Sequence, residues 1–209
     1  MQTRFASTLA TFATLATFAT LATFATLATF AALAPITAGA AEYTQVQPAQ
    51  SSIAFSYQQM GVKMDGQFRR FAAQLAFDPA KPASAKASFD VELASIDTGS
   101  ADADAEVAGK PWFNTKAFPT ARFVSSSVKP LGKDRYEVAG TLTIKGQSRE
   151  IVVPATFSAN GNAGAFDGSF TIRRGDFAIG EGSWSKFDIV ANDVQIKFHI
   201  AASAMRAER

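Results

Sequence analysis

The chain has 209 residues, with 20 lysines and arginines against 18 aspartates and glutamates, one histidine and no cysteine. That near-neutral balance leaves no basic stripe of the kind nucleic acid requires. One histidine without cysteine also excludes a histidine/cysteine metal site of ordinary ligand count and bis-histidine haem. No cofactor is therefore expected, and the fold must stand on an apolar core, for which the chain is long enough.

The chain opens on a segment with its own logic. Arg4 is the only charge before Glu42, and the unit Thr11-Phe12-Ala13-Thr14-Leu15-Ala16 recurs from Thr17 and Thr23, and with one change from Thr29. The stretch closes at Ala38-Gly39-Ala40, a small-x-small site. A basic start, an apolar middle and such a site read as a secretory signal peptide over residues 1–40, with cleavage before Ala41 and a periplasmic product. The apolar run exceeds the roughly 7–15 residues of an ordinary signal core. It reaches the about 20 residues that a bilayer span needs, so a retained inner-membrane anchor is the alternative. Residues 41–209 suit one domain.

From there, period-two alternation dominates, as in strands with one apolar face. Ile53, Phe55 and Tyr57 share a face, then Ala73, Leu75 and Phe77 before an Asp78-Pro79 turn, then Phe89, Val91 and Leu93. A helix is expected over 100–108, capped by Ser100, with Asp102 and Asp104 at the positive end of its dipole. Alternation resumes at Phe123 and continues through Tyr136, Val138, Leu142 and Ile144 to a Lys145-Gly146 turn. Ile151, Val153, Ala155 and Phe157 follow, then an Asn160-Gly161 turn. Phe166, Phe170 and Ile172 precede a last run of Val194, Ile196, Phe198 and Ile200. These are about eight antiparallel strands, which pair as a sandwich or close as a barrel, with a short helical insertion between strands three and four.

Five of the 19 phenylalanines precede Ala41, leaving fourteen, most of them on the alternating apolar face. An eight-stranded barrel holds either packed side chains or one small ligand, and the alternation alone leaves both open. It does place Phe55, Phe89, Phe123, Phe157, Phe170 and Phe198 on the inward faces of six strands.

Several segments resemble the YceI-like family of periplasmic polyisoprenoid-binding proteins. They are Ser51-Ser52-Ile53-Ala54-Phe55-Ser56-Tyr57, Gly66-Gln67-Phe68-Arg69-Arg70-Phe71, Ser95-Ile96-Asp97-Thr98, Trp112-Phe113-Asn114, Phe118-Pro119-Thr120-Ala121-Arg122-Phe123, Gly140-Thr141-Leu142-Thr143-Ile144-Lys145-Gly146 and Arg173-Arg174-Gly175-Asp176-Phe177. They stand in the family's order and cover essentially the whole of 41–209. The resemblance implies an all-β, eight-stranded antiparallel lipocalin-like barrel with a long apolar tunnel. It implies a non-enzymatic carrier of an isoprenoid lipid or isoprenoid quinone, and, as some relatives are associated with them, a membrane b-type cytochrome as partner. A homodimer is a further expectation. The tunnel lining expected on this reading is Ile53, Phe55, Phe68, Phe71, Phe89, Val91, Phe113, Phe123, Leu142, Phe157, Phe170 and Phe198, with Trp112, Arg173, Arg174 and Trp184 at the rim. The chain departs from many relatives at Gln50, at Gln59-Met60-Gly61 and at Ala103–Val107, where they carry histidines. Those departures bear on the headgroup end rather than on the tunnel.

The remaining chemistry is thin. His199 alternates with Phe198 and Ile200, so it faces away from the core. Asp102, Asp104 and Glu106 lack the glycine of a calcium loop, and on a helix they diverge. No serine sits in Gly-x-Ser-x-Gly, and Gly180-Glu181-Gly182 is not followed by a phosphate-binding pattern. Paired arginines, Arg69-Arg70 and Arg173-Arg174, suit a phosphate headgroup, although solvated strand-edge positions account for them better. Two rival functions remain: a filled-barrel envelope stress or interaction protein, and an enzyme acting on a lipid. The latter lacks any recognisable base, nucleophile and orienter.

Overall fold

Short turns that only a few backbone conformations permit decide how the alternating strands connect. The structure, a computed structural model, describes residues 41–205; the export segment, cleaved or anchored, lies outside the described residues. Eleven β-segments are present: β1 Glu42–Val46, β2 Ser52–Gln59, β3 Val62–Phe68, β4 Phe71–Ala76, β5 Lys86–Glu92, β6 Ile96–Asp97, β7 Thr120–Gly132, β8 Arg135–Ile144, β9 Gln147–Asn160, β10 Ala163–Arg173 and β11 Asp193–Met205. One helix, α1, spans Ala101–Ala108. Met60-Gly61 joins β2 to β3 and Lys145-Gly146 joins β8 to β9, with positive φ at both residues of each turn. That is the turn type whose twist matches an antiparallel pair.

All pairings are antiparallel, in the order β5-β7-β8-β9-β10-β11-β2-β3. Two further pairings close the circle. β4 pairs with β5, and β6 pairs with β3. Because β3 runs into β4 across Arg69-Arg70, and β5 into β6 across a 3-10 turn at Leu93–Ser95, these are two halves of one ladder. The Arg69 N–H donates to the Ser95 carbonyl at 3.0 Å and the Glu92 N–H to the Arg70 carbonyl at 3.1 Å, carrying the ladder over the break. β1 lies on the far end of β11, while Tyr43 and Phe77 exchange backbone bonds of 2.8 and 3.1 Å, which ties β1 to the end of β4. The eleven segments therefore occupy eight strand positions around a closed barrel, and closure removes the exposed sheet edges.

The eight expected strands are present, and β1, β3 and β6 are the segments that alternation does not reveal. β3 places Gly66 on its inward face between Met64 and Phe68, so the apolar rhythm breaks there. β1 carries a register shift between Tyr43 and Gln45, and β6 has only two residues. α1 lies between β6 and β7, the third and fourth strand positions. The Ser100 hydroxyl accepts from the Ala103 N–H, and the Asp104 carboxylate accepts from the Thr98 N–H and hydroxyl at 2.8 and 2.7 Å.

Two apolar clusters sit at opposite ends of the interior. Leu93, Trp112, Ala121, Leu142, Ile144, Ile172, Phe177, Ile179 and Val190 form one. Tyr43, Phe77, Ala85, Val128, Tyr136, Phe157 and Ala202 form the other. Beside the first cluster, the irregular segment 174–192 is organised by Arg174, which is 2% exposed. Its Nε donates to the carbonyl of Ala191, Nη1 to those of Ile179 and Gly180, and Nη2 to those of Trp184, Lys186 and Val190, at 2.8–3.2 Å. Burial pulls its guanidinium below the ordinary range. The buried Lys145 ammonium donates to the Glu181 carboxylate at 2.6 Å and the Ala178 carbonyl at 2.7 Å, fastening the β8–β9 turn to the same segment.

At the junction of β3 and β6, Asp97 accepts from Gln67 Nε2 and Arg69 Nε, both at 3.1 Å, and from the Gly99 N–H at 3.1 Å. These bonds, that from Gln67 foremost, hold its carboxyl below the usual carboxylate range. A folded pKa below the unfolded one contributes stability that is complete above the unfolded value, near about 4. That contribution is lost as pH falls through the folded value. Asp97→Asn is therefore expected to lower the melting temperature at neutral pH. The gap to the parent should shrink as the pH drops below about 4, as circular dichroism melts over that range would show.

Candidate functional site: the barrel interior

Why fourteen phenylalanines do not fill the barrel is a matter of what stands opposite them. Gly66 is the cross-strand partner of Phe55, and Gly168 that of Phe198. A Cβ built on either glycine overlaps the phenylalanine ring. Gly140 and Gly164 have other direct partners, Ser125 and Ala159, but a Cβ on Gly140 would likewise meet the diagonal Phe123 ring, and one on Gly164 the rings of Phe157 and Tyr43. The rings thus fold over bare backbone on the next strand and lie along the wall, an aromatic cover for glycine that also pins register.

What remains inside is a cavity of about 350 Å³, within the range of small-molecule sites. Of the expected lining, Ile53, Phe55, Phe68, Phe89, Val91, Phe113, Phe123, Leu142, Phe170 and Phe198 face it. Tyr57, Phe77, Tyr136, Phe166 and Ile196 also line it, although alternation alone did not single them out as lining. Phe71 and Phe157 do not. Phe71 packs beside Phe89 with centroids 6.4 Å apart. Phe157 does point inward, but Tyr43, Phe77 and Phe166, at 4.7–4.9 Å, absorb it into the packed end.

Of the four residues expected at the rim, only Trp184 is both partly exposed and at the cavity. Arg173 faces out and pairs with Asp176, its Nε at 3.0 Å from the carboxylate. Arg174 borders the cavity but from within, as the buried core of segment 174–192. Trp112 is 7% exposed, a core residue rather than a rim one. It packs against the half-buried Trp184, with centroids 5.3 Å apart, and both border the cavity. Trp184 Nε1 donates to Glu106 on α1 at 3.1 Å, so the helix and segment 174–192 close one end together. Polar groups along the lining are few. Among them burial holds the Tyr57 phenol above its ordinary pKa, and so neutral. Burial, with Asp134 adding to it, does the same for Tyr136.

The other candidates lie elsewhere. His199 Nδ1 stands 2.7 Å from Asp167 on the outer surface, across the β10–β11 pair. Arg69 and Arg70 pair with Asp97 and Glu92. Among the described residues no group of three or more histidine, cysteine or acidic side chains is placed to hold a metal.

A closed antiparallel barrel around an apolar cavity, with a helical insertion at one end, defines a lipocalin-like barrel. The comparisons narrow this: a family model described as a YceI-like domain matches residues 44–202, and the chain belongs to that family. A UPF0312 protein of Pseudomonas syringae pv. tomato is 32% identical over 172 residues, covering 77% of this chain and 90% of that protein. The crystal structure of Burkholderia cenocepacia BcnA superposes with a TM-score of 0.74 at 44% identity, covering 76% of this chain and 99% of that one. A polyisoprenoid binding domain from Saccharophagus degradans, implicated in plant cell wall breakdown, shares the fold with a TM-score of 0.62 at 16% identity, over 79% and 99% of the two chains.

The glycine–phenylalanine pairing carries its own test. Gly168→Ala drives a Cβ into both the Phe198 ring and the Pro154 carbonyl. Such overpacking is expected to destabilise the fold by about 1–3 kcal/mol, read from denaturant unfolding. A parent-like midpoint would mean that the ring does not depend on the bare backbone beneath it.

Proposed function

We propose that this chain is an exported, non-enzymatic carrier that holds an isoprenoid lipid or isoprenoid quinone inside its barrel, in the periplasm. The observation that carries the reading is the apolar cavity itself, kept open by rings lying over glycine. An isoprenoid chain offers almost only apolar surface, and its burial contributes roughly 25 cal/mol per Å² without a catalytic group. Membership of the YceI-like family supports the reading, as does the fold shared with the S. degradans polyisoprenoid binding domain. A quinone cargo would give a membrane b-type cytochrome a role as the partner that receives it.

The buried hydroxyls argue in the same direction. Ser95 Oγ donates to the Glu92 carbonyl at 2.6 Å and accepts from the Arg70 N–H at 3.0 Å, and Ser125 Oγ accepts from the Ala87 N–H at 2.8 Å. Both are engaged in holding strands, and His199 lies on the outer surface paired with Asp167, so neither of these hydroxyls has a histidine base beside it.

Protein recovered from the periplasm of its native cell, with an amino terminus at Ala41, is expected to release an isoprenoid-type lipid into organic solvent, identified by mass spectrometry. Phe170→Trp, which occupies the cavity, is expected to lower the recovered lipid severalfold while leaving the melting temperature of the lipid-free protein nearly unchanged. A parent without lipid, combined with a variant destabilised by overpacking of about 1–3 kcal/mol, would contradict the carrier reading.

A further inference from the structure

Four exposed apolar residues are brought together at the capped end of the barrel. Met60 and Val62, 72% and 62% exposed, flank Gly61 at the tip of the β2–β3 turn. Phe187 and Ile189, also exposed, stand two residues apart in segment 174–192. Backbone pairing joins the two stretches: Gln59 pairs with Val190, and the Met60 N–H donates to the Ile189 carbonyl at 2.7 Å. The other exposed large apolar residues, Val124, Leu131, Val152 and Met205, are spread over β7, β9 and β11. Scattered apolar residues need no account, but a group held together in this way marks an interaction site.

The cavity reaches the surface beside this tip. β3 pairs with β6 only at Gln67 and Phe68, so residues 62–66 have no strand on that side among the described residues. The cavity wall at this end includes Ala103, Glu106 and Val107 of α1, and Glu106 is exposed as well as cavity-lining. Gln59 and Val190, each next in the chain to a residue of the patch, line the cavity too.

Three features say what covers the patch. Four side chains offer far less than the about 800 Å² per partner of a standard protein interface, too little to hold a second copy of this chain. The neighbouring charges balance: Lys63 pairs with Asp65 at 3.5 Å, and Lys186 stands beside Asp188, whose carboxylate accepts from the Ile189 N–H at 3.0 Å. Neither an acidic nor a basic partner is favoured. The apolar surface also runs up to the mouth of a cavity suited to an apolar cargo. A bilayer requires no large footprint and no net charge, and takes up apolar side chains in proportion to the area they bury.

We propose that Met60, Val62, Phe187 and Ile189 form a membrane-docking tip that enters the surface of a lipid bilayer. The open end of the cavity then rests against the acyl chains, and cargo passes between membrane and barrel without crossing water. This rests on the carrier reading and adds the surface from which the carrier loads.

The test uses the protein as purified from its native cell and vesicles of phosphatidylcholine brominated on its acyl chains. Bromine quenches indole fluorescence at short range, and both tryptophans, Trp112 and Trp184, belong to the capped end. The parent is expected to sediment with the vesicles and to be quenched by them. A combined variant, Met60→Asn with Val62→Thr and Ile189→Thr, removes most of the apolar tip; asparagine suits the positive φ at Met60, and threonine keeps the β-branch. It is expected to bind vesicles about tenfold more weakly, with its melting temperature nearly unchanged. Val152→Thr, on the outer face of β9, is expected to behave as the parent. A parent that yields lipid on extraction but is neither sedimented nor quenched would overturn the docking and leave the carrier reading in place. Sedimentation without quenching would put the contact on another face and overturn it as well. Dimerisation of the parent that the combined variant loses would assign the patch to a second copy instead. Quenching is read on the parent, so the outcome does not depend on how the variant folds.

Discussion

An antiparallel barrel of eight strand positions must put something on its axis, and this chain meets that constraint with glycine. Large aromatic side chains at inward positions would ordinarily interdigitate across a space of this width. Here Gly66, Gly140, Gly164 and Gly168 each give a neighbouring phenylalanine bare backbone to lie on. The rings keep their apolar burial, the wall gains thickness, and the middle is left open. The pairing also fixes strand register, because a slip of one residue would put a ring over a Cβ and send the apolar face to solvent. Closure, register and cavity thus rest on one repeated contact.

The ends of the barrel meet the opposite requirement, to be filled. At one, Tyr43, Phe77, Phe157 and Phe166 pack ring against ring. At the other, an irregular segment must be held without strand pairing, and backbone carbonyls in such a segment need donors. Arg174 supplies them from a single planar group, a task its rigid fork suits and a lysine ammonium does not. The guanidinium lies against the rings of Trp112 and Phe187, 5.4 and 4.8 Å from their centroids, which offsets part of the cost of burying a charge that forms no ion pair among the described residues. Trp112 is thereby held between the Arg174 guanidinium and the Trp184 ring it packs against.

Much of this was legible in the alternation, because a strand with one buried face writes its period into the sequence. β8 to β11 and the start of β7, before its register shifts at Ser125/Ser127 and Pro130/Gly132, read directly, and so did α1 with its Ser100 cap. What alternation conceals is absence. Gly66 carries no side chain to mark the inward face of β3, yet its emptiness is what shapes the wall at Phe55. Depth along the axis is hidden as well: Phe157 and Phe170 have the same pattern, but one is packed among rings and the other borders the cavity. Arg174 read as a rim residue because nothing local announces six carbonyls that arrive from residues 179–191. The family resemblance located the segment without telling which of its two arginines points inward.

On the proposed function, the rings stay on their glycines and the space they leave belongs to a ligand. A crystal structure of protein purified from its native envelope, without added lipid, tests this most directly. Elongated density is expected through the cavity, with Phe55, Phe123 and Phe198 still lying over Gly66, Gly140 and Gly168. Rings turned to the axis, meeting across a closed interior with no ligand density, would contradict it.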